Sequence, residues 1–301
     1  MSMADRDGLI WLDGEMVPWR EAKTHVLTHT LHYGLGCFEG VRAYNTANGP
    51  AIFRLKEHTD RLFRSAHILN MKMPFSKDVI NEAQRAAVRE NNLDEAYLRP
   101  MVFLGSEGMG LRADNLQVHV MVAAWSWPSY MSPEAKELGI KVRTSSYTRH
   151  HVNITMCKAK ANGNYINSML ALNEAISGGA EEALLLDNEG YVAEGSGENI
   201  FIVRNGELHT PELTSCLAGI TRDTGWRDAG QFARWVRLAL ALSTSSIICD
   251  AVTFAVNMVL FRLYFADWYI ALFLLGPGWA YVLVACMVAV PFAHSLRQVQ
   301  R

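Results

Sequence analysis

A lysine beside a tight turn is the first residue in this chain whose surroundings could support covalent chemistry. Lys160 stands in the sequence Lys158-Ala-Lys160-Ala-Asn-Gly-Asn-Tyr165. An amine attacks a carbonyl only in its neutral form, so a lysine that forms a Schiff base must be partly desolvated. The Gly-Asn-Tyr turn would leave room for a planar ring beside the amine. Taken alone, an ordinary surface lysine is the more frequent explanation of such a residue.

Two segments further along the chain strengthen the catalytic interpretation. Glu194-Gly-Ser-Gly-Glu-Asn199 places a carboxylate in a tight glycine turn before a predicted strand over residues 200–203. Gly219-Ile-Thr-Arg222 is typical of a helix start. The free backbone N–H groups at such a start form a natural seat for a phosphate. A lysine, a carboxylate and a phosphate seat are therefore all available downstream of residue 157.

Other motifs in the sequence give weaker evidence of a functional site. The glycines of residues 34–40 have the spacing GxGxxxG and not the GxGxxG of a dinucleotide site. Residues 105–110 lack the Lys-Ser/Thr that ends a P-loop, so a flexible loop is expected there. His25, His29 and His32 could bind a metal only from a helix, and no carboxylate partner stands out. We expect ordinary hydrogen-bonded histidines and no metal site.

Seven short sequence blocks can be read together along the chain. They are Tyr33-Gly34 with Phe38-Glu-Gly40, Arg61-Leu62, Tyr97-Leu-Arg99-Pro100, Gly108-Met-Gly110, Ala159-Lys160-Ala-Asn-Gly-Asn-Tyr165, Glu194-Gly-Ser-Gly-Glu-Asn199 and Gly219-Ile-Thr-Arg-Asp223. In this order they resemble the class IV aminotransferases and, within that class, the branched-chain amino-acid aminotransferases. The resemblance covers residues 1–224.

The resemblance implies a site for pyridoxal 5′-phosphate. Lys160 would bind the cofactor covalently, Glu194 would face its pyridine nitrogen, and Tyr165 would lie near its phenolic oxygen. An ionised Glu194 would keep that nitrogen protonated and the ring an electron sink. The phosphate would be held by the side chain of Arg61 and the backbone of Ile220 and Thr221.

The resemblance also implies the substrates. Tyr33, Phe38 and Trp127 match an aromatic pocket suited to Leu, Ile and Val side chains, while Tyr97 and Arg99 lie where the family handles the substrate carboxylate. The implied reaction transfers an amino group between branched-chain L-amino acids and 2-oxoglutarate. A D-amino-acid aminotransferase or a pyridoxal-phosphate lyase of the same fold is the alternative. A homo-oligomer is expected by resemblance.

The elements that must position these residues indicate an α+β fold of the two-domain fold-type-IV aminotransferase type. We expect a small domain over residues 1–128, a linker within 128–137, and the first part of a larger, incomplete cofactor-binding domain over 138–224. Turn signals predict hairpins at Asp13-Gly14, Asn48-Gly49, 188–190 and Asn205-Gly206. Predicted strands cover residues 9–12, 15–17, 41–44, 51–55, 95–104, 117–127 and 140–146, and predicted helices cover 56–70, 77–91 and 164–177.

Composition limits the partners. The net charge is −2 and the pI is near 6.6, so no general attraction to nucleic acid is expected. Five scattered cysteines without a CxxC pair argue against a disulfide framework and favour a reducing cytoplasm. The first residues mix charges without a long apolar run, so no signal peptide is expected. The partners should be small amino acids and 2-oxo acids.

The last quarter of the chain departs from the family pattern. The resemblance implies a glycine-threonine loop of the type Ser-Gly-Thr-Ala-Ala-Glu in this part of the chain, and the sequence contains no such string. Residues 238–261 and 268–293 are instead apolar runs of membrane-spanning length. They predict an apolar helical hairpin over 238–293, with the catalytic part on the cytoplasmic side by the positive-inside rule. A buried core helix, a gene fusion, a frame artefact or a catalytically silent membrane-attached relative are the alternatives.

Overall fold

The computed structural model describes residues 2–127, 135, 138–205 and 207–225. The chain divides into two compact units, residues 1–220 and 221–301. The first unit holds every sheet described below. Of the second unit the structure describes residues 221–225, which are helical.

A seven-stranded antiparallel sheet dominates the first unit. Its strand order is β2-β1-β7-β6-β4-β5, and β3 pairs with β6 beside β4. The strands are β1 (Leu9–Leu12), β2 (Glu15–Pro18), β3 (Gly36–Phe38), β4 (Val41–Thr46), β5 (Gly49–Ile52), β6 (Ala96–Leu104) and β7 (Val118–Trp125).

Strand β6 lies at the centre of this sheet, and its side chains alternate strictly between buried and half-buried positions. Pro100 lacks an N–H, yet it is tolerated here because it faces the junction where β3 ends and β4 begins. Its carbonyl accepts a hydrogen bond from the backbone N–H of Glu39 at 2.8 Å. Glu39 therefore lies at the break between β3 and β4, where this hydrogen bond fixes its backbone.

Two amphipathic helices pack on the sheet. They are α2 (Leu55–Ile68) and α3 (Lys77–Arg89), and the Ser76 side chain caps the start of α3. Leu62, Ile80 and Leu98 are completely buried in the core between the helices and the sheet. Each buried side chain of this size contributes roughly 1.5–3 kcal/mol. A short helix, α1 (His29–Tyr33), ends at Gly34, which is in the left-handed conformation.

The second sheet has three strands in the order β10-β9-β8. These are β8 (Val142–Thr144), β9 (Glu182–Leu186) and β10 (Val192–Gly195). Strand β8 is parallel to β9, and the helices α4 (Val152–Thr155) and α5 (Tyr165–Ser177) lie between them in sequence. A two-stranded hairpin follows, formed by β11 (Ile202–Arg204) and β12 (Glu207–His209).

The predicted elements agree with these bounds to within a few residues, with one shifted turn. Asp13 and Gly14 both have positive φ, as their hairpin requires. In the next hairpin, however, Thr46 pairs with Gly49, so the turn is centred one residue earlier than predicted. Gly49 begins β5, and Leu55, which was assigned to that strand, begins α2.

The α+β class and the fold-type-IV topology are confirmed, whereas the predictions for the tail are not tested. Residues 238–293 and most of the predicted linker at 128–137 lie outside the described residues, and the proposed domain bounds of 1–128 and 138–224 stay predictions. Within the described part of the chain, no helix is both long and apolar enough to cross a membrane.

Candidate active site

The backbone of Lys160 is fixed between β3 and α2. Its N–H donates to the Ser65 hydroxyl at 3.0 Å, and its carbonyl accepts from the N–H of Phe38 at 3.1 Å. The next residue, Ala161, forms a β-bridge with Cys37. Lys160 is half-buried, as a nucleophilic lysine requires.

The Lys160 amine is held by a phenol. Its Nζ lies 2.5 Å from the Tyr165 Oη. A 3-10 turn at Asn162–Asn164 leads into α5 and places Tyr165 at the first position of that helix. The turn lies against Gly34: the Gly163 N–H donates to the Gly34 carbonyl at 3.2 Å, and a Cβ on Gly34 would lie 3.3 Å from the Gly163 backbone. The predicted Gly-Asn-Tyr turn therefore does position the lysine.

Phe38 joins the lysine to the aromatic residues of the predicted pocket. Its ring centroid lies 5.0 Å from Lys160 Nζ, 4.9 Å from the Tyr165 ring centroid and 4.4 Å from Arg99 Cζ. The last distance is that of a cation–π contact. Arg99 also donates to the Tyr97 hydroxyl at 2.9 Å.

Tyr97 and Trp127 form the outer wall of this group, with their ring centroids 4.8 Å apart. The Arg42 guanidinium donates to the Trp127 carbonyl at 3.1 Å. Arg99 Nε is buried and has no hydrogen-bond partner within the described residues. Since a buried, unpaired donor is costly, this atom is suited to an incoming acceptor such as a carboxylate.

Tyr33 does not join the group in the described contacts. It lies at the end of α1, is 44% exposed, and its ring contacts His29 and His32, at centroid distances of 4.5 and 6.5 Å. Its place in the substrate pocket stays a prediction.

Arg61 lies on α2 in a buried ion pair that the sequence did not predict. Its Nε and Nη2 bind the two carboxylate oxygens of Glu39, at 2.6 and 2.7 Å. Its Nη1 donates to the Ala218 carbonyl at 2.9 Å. These contacts use three of the five guanidinium donors, so two remain for an anion such as phosphate.

Glu39 is completely buried and takes part in three charge-assisted hydrogen bonds, two of them with Arg61. The third is with His58 Nδ1, at 2.8 Å. Burial raises the pKa of the Glu39 carboxyl, but the hydrogen bonds from Arg61 and His58 outweigh it and hold that pKa below its ordinary value. The carboxylate is therefore ionised, and Arg61 is fixed in one orientation.

Glu194 lies on β10 in a second buried ion pair. Arg149 Nε donates to Glu194 Oε1 at 2.7 Å, and both residues are less than 10% exposed. Burial raises the pKa of the Glu194 carboxyl above its ordinary value. The positive charges of Arg149 and Lys160 both act to lower that pKa. Lys160 is thus within electrostatic reach of the carboxylate.

The loop before residue 220 is anchored to both ion pairs. Ala218 accepts from Arg61, and Asn199 Nδ2 donates to the Leu217 carbonyl at 3.0 Å. Arg54 Nη1 donates to the carbonyl of Ile220, which is buried, at 3.2 Å. Thr221 begins the second compact unit, and its predicted phosphate contact stays a prediction.

The histidines have the hydrogen-bonded roles that were expected. His29 Nε2 lies 2.8 Å from the Gly110 carbonyl, and His32 Nε2 lies 2.9 Å from the Val26 carbonyl. Among the residues that the structure describes, no group of histidine, cysteine and carboxylate side chains could hold a metal ion.

Comparison with known proteins identifies the family. A model of the amino-transferase class IV family matches residues 36–227, which is more than half of the chain. The chain belongs to the class IV aminotransferases, which are pyridoxal-phosphate-dependent enzymes. This confirms the family recognised from the seven sequence blocks.

The relatives narrow the resemblance to the branched-chain enzymes. The chain is similar to the branched-chain-amino-acid aminotransferase of Pseudomonas aeruginosa (strain PAO1), with 74% identity over 224 residues that cover 74% of this chain and 73% of that protein. It is also similar to a solved branched-chain amino acid aminotransferase from T.th. with pyridoxamine 5′-phosphate, with 50% identity, a TM-score of 0.72, and coverage of 75% and 74% of the two chains. The same enzyme complexed with N-(5′-phosphopyridoxyl)-L-glutamate gives 49% identity and a TM-score of 0.71, at 75% and 74% coverage.

Two ion-pair partners of predicted site residues, Glu39 and Arg149, were missed in the sequence. Glu39 stood inside a quoted block without a role, although a charged residue directly after an apolar strand was a usable signal. Arg149 had no signal of its own, because its partner Glu194 is 45 residues further along the chain.

Proposed function

We propose that the chain transfers amino groups between branched-chain L-amino acids and 2-oxoglutarate, with pyridoxal 5′-phosphate bound covalently at Lys160. The observation that carries the proposal is the Lys160 amine, held on the Tyr165 phenol beside Phe38 and within electrostatic reach of Glu194. The 74% identity to a branched-chain-amino-acid aminotransferase supports the same assignment.

The residues present fit pyridoxal phosphate. The half-buried amine of Lys160 suits covalent attachment of an aldehyde, and the buried carboxylate of Glu194 suits a protonated ring nitrogen. Arg61 keeps two donors for phosphate oxygens. Bound there, the cofactor supplies an electron sink for the carbon that loses a proton.

Four side chains of the protein would then each have a separate role in the reaction. The freed amine of Lys160 would move a proton between the substrate Cα and the cofactor C4′. Tyr165 would hold that amine in place through its hydroxyl. Glu194 would balance the positive charge at the ring nitrogen, and Arg61 would fix the phosphate.

The substrate preference rests on the aromatic wall and on Arg99. Phe38, Tyr97 and Trp127 offer apolar ring surface to a branched side chain, and Trp127 is 39% exposed at the rim. The unpaired Arg99 Nε supports binding of a carboxylate. Acceptance of 2-oxoglutarate is supported by the complex of the T.th. enzyme with a phosphopyridoxyl-glutamate.

Covalent fixation tests the proposal. Purified protein with added pyridoxal phosphate should be labelled by borohydride at Lys160, and L-leucine with 2-oxoglutarate should yield glutamate. Lys160→Ala should abolish both results. Lys158→Ala is the matched control, because its Nζ donates to the Cys216 carbonyl at 3.2 Å and has no role in the proposal. Full labelling of the Lys160→Ala protein, or transfer from D-alanine only, would contradict the assignment.

A homo-oligomer in a reducing cytoplasm completes the proposal. The three cysteines of the described part are free and buried, which suits such a compartment. Neither a D-amino-acid enzyme nor a lyase is favoured by the relatives. Membrane contact through residues 238–293 stays a prediction from the sequence, and fractionation of expressing cells tests it: recovery only from the soluble fraction would contradict it.

A further inference from the structure

We propose that Arg149 is a positioning residue that keeps the Glu194 carboxylate charged and directed at the ring nitrogen of the cofactor. The inference rests on the proposed function, which it deepens: it names the group on which the action of Glu194 depends. Arg149 itself would touch neither cofactor nor substrate.

The guanidinium is held by three hydrogen bonds from two directions. Its Nε binds Glu194 Oε1 at 2.7 Å, while its Nη1 donates to Asn167 Oδ1 at 2.9 Å and to Ser168 Oγ at 3.0 Å. The backbone N–H of Arg149 donates to the Leu186 carbonyl at 2.7 Å, which ties the residue to β9. An arginine held in this way cannot turn away from the carboxylate.

Helix α5 links this pair to the reactive amine. The first residue of α5 is Tyr165, whose hydroxyl holds Lys160, and Asn167 and Ser168 follow in the same helical turn. One turn of helix therefore sets both the amine, through Tyr165, and the carboxylate, through Arg149. This shared support is the geometric reason to assign Arg149 to the site.

The remaining contacts of Glu194 leave room for the ring nitrogen. Besides the bond from Arg149, the carboxylate accepts a long hydrogen bond at Oε2 from Asn199 Nδ2, at 3.4 Å, and the Leu217 backbone is close enough to lower its pKa. A carboxylate offers about four lone-pair sites, so at least one stays available. Arg149 thus orients the group without occupying both of its oxygens.

Charges around Glu194 make Arg149 necessary. Burial raises the pKa of Glu194, and the two cations that oppose this are Arg149 and Lys160. Arg149 opposes this rise more strongly than Lys160 does, and the nearby Glu198 acts in the opposite sense as a like charge. The adjacent His150 supplies no comparable charge near neutral pH, because burial lowers the pKa of its ring.

The test compares pyridoxal phosphate with its 1-deaza analogue, in which carbon replaces the ring nitrogen. The full-length parent protein should bind pyridoxal phosphate about tenfold more tightly than the analogue, or better, since only the former gains a charge-assisted bond to Glu194. In Arg149→Gln that preference should fall to about twofold, as it should in Glu194→Gln, and the double variant should lose nothing more. Arg149→Lys should recover part of the preference.

A matched control is Arg143→Gln, since Arg143 is an exposed arginine on β8, six positions before Arg149. It should keep the parent preference. A purely structural role for Arg149 would weaken both ligands equally and leave the ratio unchanged, which would overturn the proposal.

A measurement without cofactor separates this inference from the proposed function. In ¹³C NMR of the cofactor-free protein, the Glu194 side-chain carboxyl, assigned by its loss in Glu194→Gln, should titrate at a higher pH in Arg149→Gln than in the parent. An unchanged titration would overturn the role of Arg149. If the titration moves but the parent protein binds no pyridoxal phosphate, the proposed function fails and the Arg149–Glu194 coupling stands.

Discussion

Replacing Glu39 by glutamine should destabilise the first compact unit strongly, although the two side chains have nearly the same shape. Glu39 is completely buried and receives two bonds from Arg61 and one from His58. The amide keeps one acceptor oxygen but removes the negative charge. The buried Arg61 guanidinium is then left without a counter-charge.

The magnitude follows from the burial of both partners. Removing one member of a buried ion pair costs about 3–5 kcal/mol, because the other charge stays desolvated. With a urea m-value of about 3 kcal/mol/M, the unfolding midpoint should fall by about 1–1.7 M. Tryptophan fluorescence of the full-length chain reports the transition, since Trp11 and Trp19 are buried in the first unit.

The loss of stability in Glu39→Gln should depend on pH. The folded-state pKa of Glu39 lies below its ordinary value of 4.5, so the carboxylate contributes stability above that pH. This contribution is lost as the pH falls through the folded-state pKa. The difference between the parent and Glu39→Gln should therefore be largest near neutral pH and shrink in acid.

Two variants make the result decisive. Asp60→Asn breaks the ion pair of Asp60 with Lys77 at the surface, which is worth about 0–1 kcal/mol, so its midpoint should move by no more than about 0.3 M. Adding Arg61→Met to Glu39→Gln should restore part of the loss, because no unpaired charge remains. A midpoint for Glu39→Gln within the range of Asp60→Asn would refute the reasoning.

The remaining predictions concern the site and its surroundings. Tyr165→Phe should slow borohydride labelling of the lysine at a fixed pH, because the amine loses the hydroxyl that holds it in place; an unchanged labelling rate in mass spectrometry would exclude a role of the phenol. Glu194→Gln should slow each half-reaction with L-leucine and should also lower the unfolding midpoint, because it leaves the buried Arg149 without its counter-charge; half-reaction rates equal to those of the parent in stopped-flow absorbance would count against the assignment. Burial and the neighbouring Glu182 raise the pKa of Glu198 to about 7. The folded state then binds more protons than the unfolded one between pH 4.5 and 7, so stability falls as pH rises there, and Glu198→Gln should flatten that fall in urea midpoints. Burial raises the pKa of Cys37 to about 12, so iodoacetamide at about pH 8 should leave Cys37 unmodified in the native protein by peptide mapping; rapid modification would contradict its burial.

Local periodicity was sufficient for most elements of the fold. The apolar spacing of Leu62, Ala66 and Leu69 predicted the second helix, and turn residues predicted the hairpins. The turn near Gly49 was shifted because a glycine with positive φ can stand directly after a hairpin turn, as Gly49 does where it pairs with Thr46, as well as inside the turn. Propensity alone could not separate these two placements.

The site was predictable where its residues are close in sequence. Lys160 and Tyr165 stand in one turn, and that turn brings them together. The partners Glu39 and Arg149 depend on tertiary contacts across 22 and 45 residues, and no local pattern encodes such distances. The hydrogen bonds that hold the pKa of Glu39 below its ordinary value form only in the complete packing.

The attachment of Lys160 to β3 and α2 has a consequence for how the protein folds. Its N–H donates to the Ser65 hydroxyl, which is 95 residues away in the sequence, so this hydrogen bond closes a long loop. Contacts of such sequence separation slow folding and tend to form late. Covalent uptake of the cofactor would therefore report the completion of folding. When the protein refolds, borohydride labelling should increase more slowly than tryptophan fluorescence recovers.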